Sequence, residues 1–217
     1  MFKRIKRLIR GFIRRIRGRL ETDSKEYEIL VAACKEIGGV PGLTCEIGVR
    51  QGGSSQLIMK SCHEAGDPRT HVGIDPFGNI LYELKEELPV RMDYTNEMKL
   101  NMLASLYAWC RKVGADFIFM PLEDSEFFTR FADGVPLYSE TKTLINEYAL
   151  VFFDGPHSVK AVRSEIEFFA ERTPTGGVWV FDDLEYYPHM EKLDAVIQDL
   201  GFKILKQGAY KISYKRS

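Results

Sequence analysis

The sequence predicts an α/β fold in which a doubly wound, mostly parallel seven-stranded sheet ends in an antiparallel hairpin. Two short apolar runs, residues 150–153 and 178–181, are rich in β-branched and aromatic side chains and end abruptly in carboxylates. Such runs are typical of strands that a parallel sheet buries on both faces. A third run, 43–49, ends in a glycine-rich turn, and strand-like and helix-like segments alternate along the rest of the chain. This alternation favours helices on both faces of one sheet.

The predicted elements follow in a regular order. Strands are expected at residues 43–49, 71–75, 116–120, 150–154, 178–181, 202–205 and 210–214. Helices are expected at residues 25–37, 54–62, 96–112, 123–131, 158–171 and 188–200. Ser54 is the expected N-cap of the second helix. We expect an irregular connection at 77–94, a loop after Gly134, and a turn at Gln207-Gly208 that joins the last two strands as a hairpin.

Length and composition are those of one substantial globular domain. The chain has 217 residues, of which 45% are hydrophobic and 28% are charged. Its cysteines are widely spaced and form no CxxC pair: Cys34, Cys45, Cys62 and Cys110. This spacing favours buried free thiols in a reducing compartment, hence a cytoplasmic protein, over a disulfide framework or a zinc site.

Residues 1–20 differ in charge from the rest of the chain. They carry nine Lys or Arg and no acid, which leaves 21 basic and 31 acidic side chains, a net charge of −10, in residues 21–217. We therefore expect no nucleic-acid partner for the main domain. At about 100° per residue, the apolar side chains of the first segment fall within an arc of about 140°, which predicts an amphipathic helix. These side chains are Phe2, Ile5, Leu8, Ile9, Phe12, Ile13, Ile16 and Leu20.

Three interpretations of this helix stay open. It could lie on an anionic membrane surface, for instance the inner face of a cell membrane. It could pack on its own domain or mediate homo-oligomerisation, or it could be a targeting sequence, although it is poor in serine. No apolar stretch in it approaches the ~20 residues that span a bilayer. We divide the chain into this helix, residues 1–20, and a main domain, residues 21–217.

Three carboxylates close two of the predicted strands. Asp154 follows the run at 150–153, and Asp182 and Asp183 follow the run at 178–181. Open α/β sheets bind ligands at the carboxyl ends of their strands. No cationic partner is evident nearby in the sequence, so three converging carboxylates would repel one another, and a hard cation such as Mg²⁺ would neutralise them. Alternatively, Asp154 is a turn residue and Asp182 caps a helix.

A glycine-rich turn joins the first strand to its helix. Its sequence, residues 45–54, is Cys-Glu-Ile-Gly-Val-Arg-Gln-Gly-Gly-Ser. Gly48 and Gly52 let a ligand approach the backbone and the N–H groups of a helix start. Their spacing is not GxGxxG, which disfavours a nicotinamide-dependent dehydrogenase. Asp75 ends the second strand, where an acid can accept hydrogen bonds from two ribose hydroxyls. Glu46 adds a carboxylate that suits a cationic ligand.

With these motifs the chain resembles the class I S-adenosylmethionine-dependent methyltransferases. It is most similar to their small metal-dependent O-methyltransferases, of the catechol/caffeoyl-CoA type and of the macrolide-sugar type related to cephalosporin-hydroxylase-like proteins. The similarity covers about residues 40–214 and implies a Rossmann-like fold. It rests on Glu46-x-Gly-x-x-x-Gly-Gly-Ser, on Asp75, on Asp154-Gly-Pro-His157, and on Gly-Gly before Asp182-Asp183.

The resemblance implies a role for each matching residue. It places Glu46, Gly48 and Gly52 at the methionine end of the cofactor, Asp75 at the ribose, and Asp124 and Ser125 beside the adenine. The full cofactor-binding set is Glu46, Gly48, Gly52, Ser54, Asp75, Asp124, Ser125 and Asp154. The implied metal ligands are Asp154, Asp182 and Asp183. Catechol-type enzymes have Asn where this chain has Asp183, and Lys where it has His157, so the sugar type fits better.

We therefore expect metal-dependent O-methylation of a hydroxyl on a small molecule or glycan. His157, with an ordinary pKa near 6.5, would remove the proton, and Mg²⁺ would orient the hydroxyl and lower its pKa. His157 could equally be structural. Residues 77–82, 90–94 and 186–189 are the expected acceptor walls. The alternatives are a metal-independent methyltransferase and a membrane-tethered module without catalysis.

Overall fold

The computed structural model describes residues 20, 22, 24–82, 90–184 and 189–217, which form six helices and eleven strands. The helices are α1 (Tyr27–Glu36), α2 (Gly53–Glu64), α3 (Asn96–Val113), α4 (Asp124–Arg130), α5 (Val159–Ala170) and α6 (His189–Asp199). The strands are β1 (Leu43–Ile47), β2 (His71–Ile74), β3 (Gly78–Tyr82), β4 (Val90–Tyr94), β5 (Phe117–Met120), β6 (Val135–Tyr138), β7 (Lys142–Ile145), β8 (Tyr148–Phe153), β9 (Val178–Phe181), β10 (Phe202–Gln207) and β11 (Ile212–Arg216). Of the helix predicted at residues 1–20, all but Leu20 lies outside the described residues.

Seven of the strands form the predicted doubly wound sheet, in the order β10-β11-β9-β8-β1-β2-β5. The pairs β9–β8, β8–β1, β1–β2 and β2–β5 are parallel, and β11 is antiparallel to both β9 and β10. The predicted α/β class, the parallel sheet and the closing hairpin are therefore confirmed. Strand order reverses between β1 and β8, and ligands bind at such a switch point in open α/β sheets.

The centre of the sheet is buried on both faces. All six residues of β8 and all four of β9 are buried. Phe153 and Phe181 stack with ring centroids 4.3 Å apart on one face, while Phe152 and Val180 pack against α1 and α2 on the other. Covered on both sides, these strands need no polar alternation, and this is why they are continuous apolar runs in the sequence.

Two connections are more regular than predicted. Residues 78–94 were expected to be irregular, yet β3 and β4 pair as an antiparallel hairpin. The loop expected after Gly134 contains a second hairpin, β6–β7. Both predictions were wrong because these strands are short and largely exposed, so neither shows the buried apolar run from which the other strands were predicted.

The start of α2 also differs from its prediction. The helix begins at Gly53 and its N-cap is Gly52, in the left-handed region with φ 77° and without a side-chain cap. Ser54 is therefore a residue of the first turn, and its prediction as the cap was wrong. All four cysteines are buried and free, as expected. Among the described residues, none of the helices is both long and apolar enough to span a bilayer.

Candidate functional site

A cavity of about 870 Å³ opens at the switch point of the sheet. Its walls come from the turn after β1, the ends of β2, β8 and β9, the starts of α4 and α5, the β3–β4 hairpin, and the residues just before α1. The predicted site residues that line it are Gly48, Ser54, Asp75, Asp124, Ser125, Asp154, His157, Asp182 and Asp183. Glu46 and Gly52 lie outside this lining. Most of the predicted site is thus brought together in one place.

The two predicted glycines of the turn are required by packing. Gly48 has φ 91°, and a Cβ there would overlap the backbone of Asp154 at the end of β8. A Cβ on Gly52 would meet the side chains of Met102, Leu106 and Leu20. Glycine at these positions therefore lets β1 and β8 end side by side and lets α3 pack over the turn.

Asp75 organises the turn between β1 and α2. Its Oδ2 accepts a hydrogen bond from the N–H of Arg50 at 2.8 Å, and its Oδ1 accepts one from the N–H of Phe77 at 2.9 Å. Burial raises the pKa of Asp75, whereas these two N–H donors oppose that shift. Arg50 and Phe77 have φ values of 46° and 53°, which are strained for side chains of this size. Asp75 therefore holds this backbone in place, and it also lines the cavity.

Glu46 lies behind the cavity. Its side chain is buried, accepts a hydrogen bond from the Ser55 hydroxyl, and has Oε2 3.6 Å from Nε2 of His71. The His71 ring in turn contacts the Thr44 hydroxyl at 3.0 Å. This buried network joins β1, β2 and α2 beneath the glycine turn. Glu46 therefore stabilises the elements on which the turn rests.

Asp154, His157 and Asp183 form a compact cluster. Each offers one potential ligand atom, and these atoms lie within 4.8 Å of one another. Nε2 of His157 is 3.6 Å from Oδ2 of Asp183. Burial, and then the nearby charges of Asp182 and Glu46, raise the pKa of Asp154 well above its ordinary value, although Lys211 opposes them. The cluster therefore concentrates negative charge that a bound cation would offset.

Asp182 has the cationic partner that the sequence argument did not find. Lys211 is fully buried, and its Nζ forms an ion pair with Oδ1 of Asp182. The Ser24 hydroxyl donates to Oδ2 of the same carboxylate at 2.6 Å. The expectation of three uncompensated carboxylates was therefore wrong. Lys211 directly precedes β11. The only indication in the sequence is a lysine inside the strand predicted at residues 210–214.

A second pair of acids, Asp124 and Glu165, lies where the start of α4 faces α5. Asp124 lines the cavity, and its Oδ1 accepts the N–H of Ser125 at 2.7 Å. Glu165 on α5 is fully buried behind it. Burial, followed by the facing Asp124 carboxylate, raises the pKa of Glu165 well above its ordinary value. Glu165 was not predicted, because the sequence shows only an acid on the face of a helix.

The β3–β4 hairpin forms the outer wall, as expected for residues 77–82 and 90–94. Ile80, Leu81, Met92 and Tyr94 line the cavity there. Burial raises the pKa of Tyr94, and Arg50 opposes that shift. The carboxylates of the site raise the pKa further, since the phenol lies near them. The other expected wall, residues 186–189, falls at a segment whose side chains lie outside the described residues.

A family model described as a methyltransferase domain matches residues 45–184, which include β2 to β9, most of β1 and most of the cavity lining. The chain belongs to this methyltransferase family. The resemblance to class I S-adenosylmethionine-dependent methyltransferases is thereby confirmed, as is the prediction that the protein is an enzyme of this class. S-adenosylmethionine is the cofactor that this family membership supports.

Solved structures similar to this methyltransferase have the same fold. The calicheamicin methyltransferase CalS11 has a TM-score of 0.62 at 16% identity, over 86% of this chain and 77% of that chain. Its apo structure, titled a TDP-rhamnose 3'-O-methyltransferase, has a TM-score of 0.55 at 17% identity over the same shares. An O-methyltransferase from Bacillus cereus in complex with SAH has a TM-score of 0.59 at 9% identity, over 90% of this chain and 83% of that chain. No curated protein is significantly similar to the chain in sequence.

Proposed function

We propose that the enzyme transfers the methyl group of S-adenosylmethionine to a hydroxyl of a small molecule or sugar, with the help of a divalent cation. The observation that carries this proposal is that Asp75 and the cluster of Asp154, His157 and Asp183 face one cavity. A hydroxyl acceptor is supported by similar structures of a TDP-rhamnose 3'-O-methyltransferase and of an O-methyltransferase.

The cofactor would occupy the part of the cavity between the glycine turn and α4. Asp75 has lone pairs for the ribose hydroxyls, and Asp124 and Ser125 lie where the adenine would fit against the start of α4. Gly48 and Ser54 line the opposite end, toward Asp154. A methionyl group at that end would place its sulfonium methyl near the carboxylate cluster.

A divalent cation fits the cluster chemically. Burial, and then repulsion by neighbouring carboxylates, raises the pKa of Asp154, and a bound cation would relieve that repulsion. Mg²⁺ is typically held by one or two carboxylates together with water or substrate oxygens, and imidazole is not among its preferred ligands. Asp154 and Asp183 would hold it, and a bound ion would lower the pKa of a chelated acceptor hydroxyl.

His157 is the residue that would accept the proton of the acceptor hydroxyl. Its ring is buried beside the cavity, and Oδ2 of Asp183, 3.6 Å from Nε2, would stabilise the imidazolium. S-adenosylmethionine, when bound, would supply the methyl group, and S-adenosylhomocysteine would be the leaving group. His157 would take the proton of the acceptor hydroxyl as its oxygen bonds to the methyl carbon and the S–CH₃ bond breaks. The residues of the cavity contribute chiefly by aligning oxygen, carbon and sulfur.

The ion pair of Lys211 and Asp182 favours one alternative, a methyltransferase that needs no metal. A buried ammonium group already neutralises one of the three carboxylates. Methyl transfer from labelled S-adenosylmethionine to a panel of sugar nucleotides and vicinal diols, with Mg²⁺ or with EDTA, separates the two functions. We expect transfer with Mg²⁺ and its loss with EDTA. Transfer that EDTA leaves unchanged would favour the alternative, and failure to bind S-adenosylhomocysteine would contradict both.

A further inference from the structure

The contacts of Asp182 differ from those of the neighbouring Asp183. The Lys211 ammonium group contacts Oδ1 of Asp182 and also donates to the Ser24 hydroxyl. That hydroxyl donates to Oδ2 of Asp182. Asp182, Lys211 and Ser24 therefore form a closed ring of polar contacts in which Asp182 is 2% exposed and Lys211 is fully buried. Both oxygens of Asp182 are engaged by groups of the chain itself.

One further hydrogen bond connects this ring to the cluster of Asp154, His157 and Asp183. The backbone N–H of Asp183 donates to Oδ1 of Asp182 at 2.8 Å. Asp183 has φ 58°, in the left-handed region that costs energy for a residue with a side chain. This conformation turns the Asp183 carboxylate toward Asp154 and His157, where its ligand atom joins their cluster. Asp182 thus holds the backbone that aims Asp183.

The ring also fastens the residues before α1 to the turn after β10. The carboxylate of Glu26 accepts backbone hydrogen bonds from Ala209, Tyr210 and Lys211, at 3.0, 2.9 and 3.1 Å. Nζ of Lys25 lies 3.8 Å from the centroid of the Tyr210 ring. Thr22, Ser24 and Lys25 line the cavity together with Tyr210. Because Glu26 holds the turn that carries Lys211, the position of the ammonium group depends on both the residues before α1 and the turn after β10.

We propose, on the basis of the metal-assisted methyl transfer proposed above, that Asp182 is a positioning residue and not a metal ligand. Lys211 and Ser24 hold its carboxylate, and Asp182 holds Asp183 in the conformation that faces the cation. A buried ion pair is costly to form and is suited to fixing one arrangement of the chain. With Asp182 neutralised by Lys211, Asp154 and Asp183 supply two negative charges, which match one divalent cation.

The test is Mn²⁺ binding by the full-length protein with S-adenosylhomocysteine present, followed by electron paramagnetic resonance. In the double variant Asp182→Asn/Lys211→Met the net charge of the site is unchanged, and the amide oxygen still accepts the N–H of Asp183. We expect its Mn²⁺ affinity to stay within about threefold of wild type. Asp183→Asn is the matched variant, and we expect it to weaken Mn²⁺ binding at least about tenfold.

A third variant tests the positioning role itself. Asp182→Ala/Lys211→Met lacks an acceptor for the N–H of Asp183, so we expect Mn²⁺ binding to fall about tenfold, and the asparagine variant to restore it. Equal losses in the asparagine and alanine variants, as large as in Asp183→Asn, would make Asp182 a ligand and overturn the proposal. If the double variants do not fold, wild-type crystals with S-adenosylhomocysteine and Mn²⁺ decide, since a metal coordinated by Asp182 would overturn the proposal.

The same titrations separate failure of this proposal from failure of the proposed function. Binding of S-adenosylhomocysteine and the thermal melt show that each variant is folded. Wild-type protein that binds S-adenosylhomocysteine but no Mn²⁺ would contradict the metal in the proposed function, and the supporting role of Asp182 with it. Mn²⁺ binding by wild type that Asp182→Asn/Lys211→Met abolishes would overturn the positioning role alone.

Discussion

The acidic residues of the cavity have similar side chains but different surroundings. Asp75 accepts two backbone N–H groups, Asp182 is paired with a buried lysine, and Asp154 faces other carboxylates. Position at the end of a strand was enough to predict all three from the sequence. The partner of Asp182 was not predictable, because Lys211 lies far along the chain and only the folded sheet brings it near. Burial and charge therefore determine what each acid does.

Replacing Asp75 should weaken cofactor binding. Asp75→Ala removes the carboxylate expected to accept the ribose hydroxyls, and hydrogen bonds to a charged group contribute about 1.5–3 kcal/mol, so the dissociation constant should rise at least about tenfold. Calorimetric titration with S-adenosylhomocysteine measures the change. Glu167→Ala, at an exposed acid of α5 outside the cavity lining, is the control. Unchanged affinity in Asp75→Ala would show that Asp75 only supports the turn.

Replacing Glu165 should stabilise the protein. Its pKa is raised in the fold, so the carboxyl group must remain protonated while the unfolded chain ionises above about pH 4.3. Wild type therefore loses stability as pH rises from that value toward the raised pKa, and Glu165→Gln does not. The advantage of Glu165→Gln over wild type should therefore be larger at pH 7 than at pH 5.

Urea unfolding at pH 5 and pH 7 measures this difference. The control is Glu167→Gln, an exposed acid of the same helix that pairs with Arg163. We expect Glu167→Gln to change the free energy of unfolding by less than about 0.5 kcal/mol at either pH. A destabilised Glu165→Gln would mean that the ionised carboxylate is needed in the folded state.

At the scale of elements, the buried strands were predictable and the exposed hairpins were not. Strands β8 and β9 are apolar throughout because helices cover both faces of the sheet. Strands β4 and β7 are mostly exposed, and β6 contains Pro136, which argues against a strand in a sequence. The β3–β4 hairpin nevertheless forms the outer wall of the cavity. The outer wall of the cavity is therefore the part that sequence patterns describe least.

Loss of Glu26 should loosen the contact between the residues before α1 and the turn after β10. Burial tends to raise the pKa of Glu26, but hydrogen bonds from Tyr210, Ala209 and Lys211 lower it below its ordinary value. Glu26→Ala removes all three acceptor contacts, and we expect a loss of about 1–3 kcal/mol in the free energy of unfolding. Thermal and urea melts check this. Glu28→Ala, an exposed acid of the first turn of α1, should cost less than about 1 kcal/mol; equal losses would contradict the role of Glu26.

At the scale of the whole molecule, the charge asymmetry remains the main feature that the cavity does not explain. Residues 1–20 carry nine basic side chains, and the rest of the chain has a net charge of −10. Leu20 is the first residue that the structure describes. Its N–H donates to Oε1 of Gln56 at 2.9 Å, and its side chain packs near Gly52. A cut meant to remove only the basic segment should therefore keep Leu20.

We expect the basic segment to be a detachable anchor for anionic membranes. A fragment of residues 20–217 should stay folded and bind S-adenosylhomocysteine as the full chain does. The full chain should sediment with phosphatidylserine vesicles, and salt should release it, since each Lys or Arg near such a surface contributes about 1 kcal/mol that ions screen. A full chain that ignores vesicles, with a fragment that changes oligomeric state, would make the segment a packing or dimerisation element.

The most direct test of the account is a crystal structure with S-adenosylhomocysteine and Mn²⁺, in which anomalous scattering locates the metal. We predict that the ribose hydroxyls contact Asp75, that the adenine lies against Asp124 and Ser125, and that one anomalous peak lies between Asp154 and Asp183, with Asp182 still paired to Lys211. A cofactor bound elsewhere, or a bound cofactor with no Mn²⁺ near Asp154, would contradict the account.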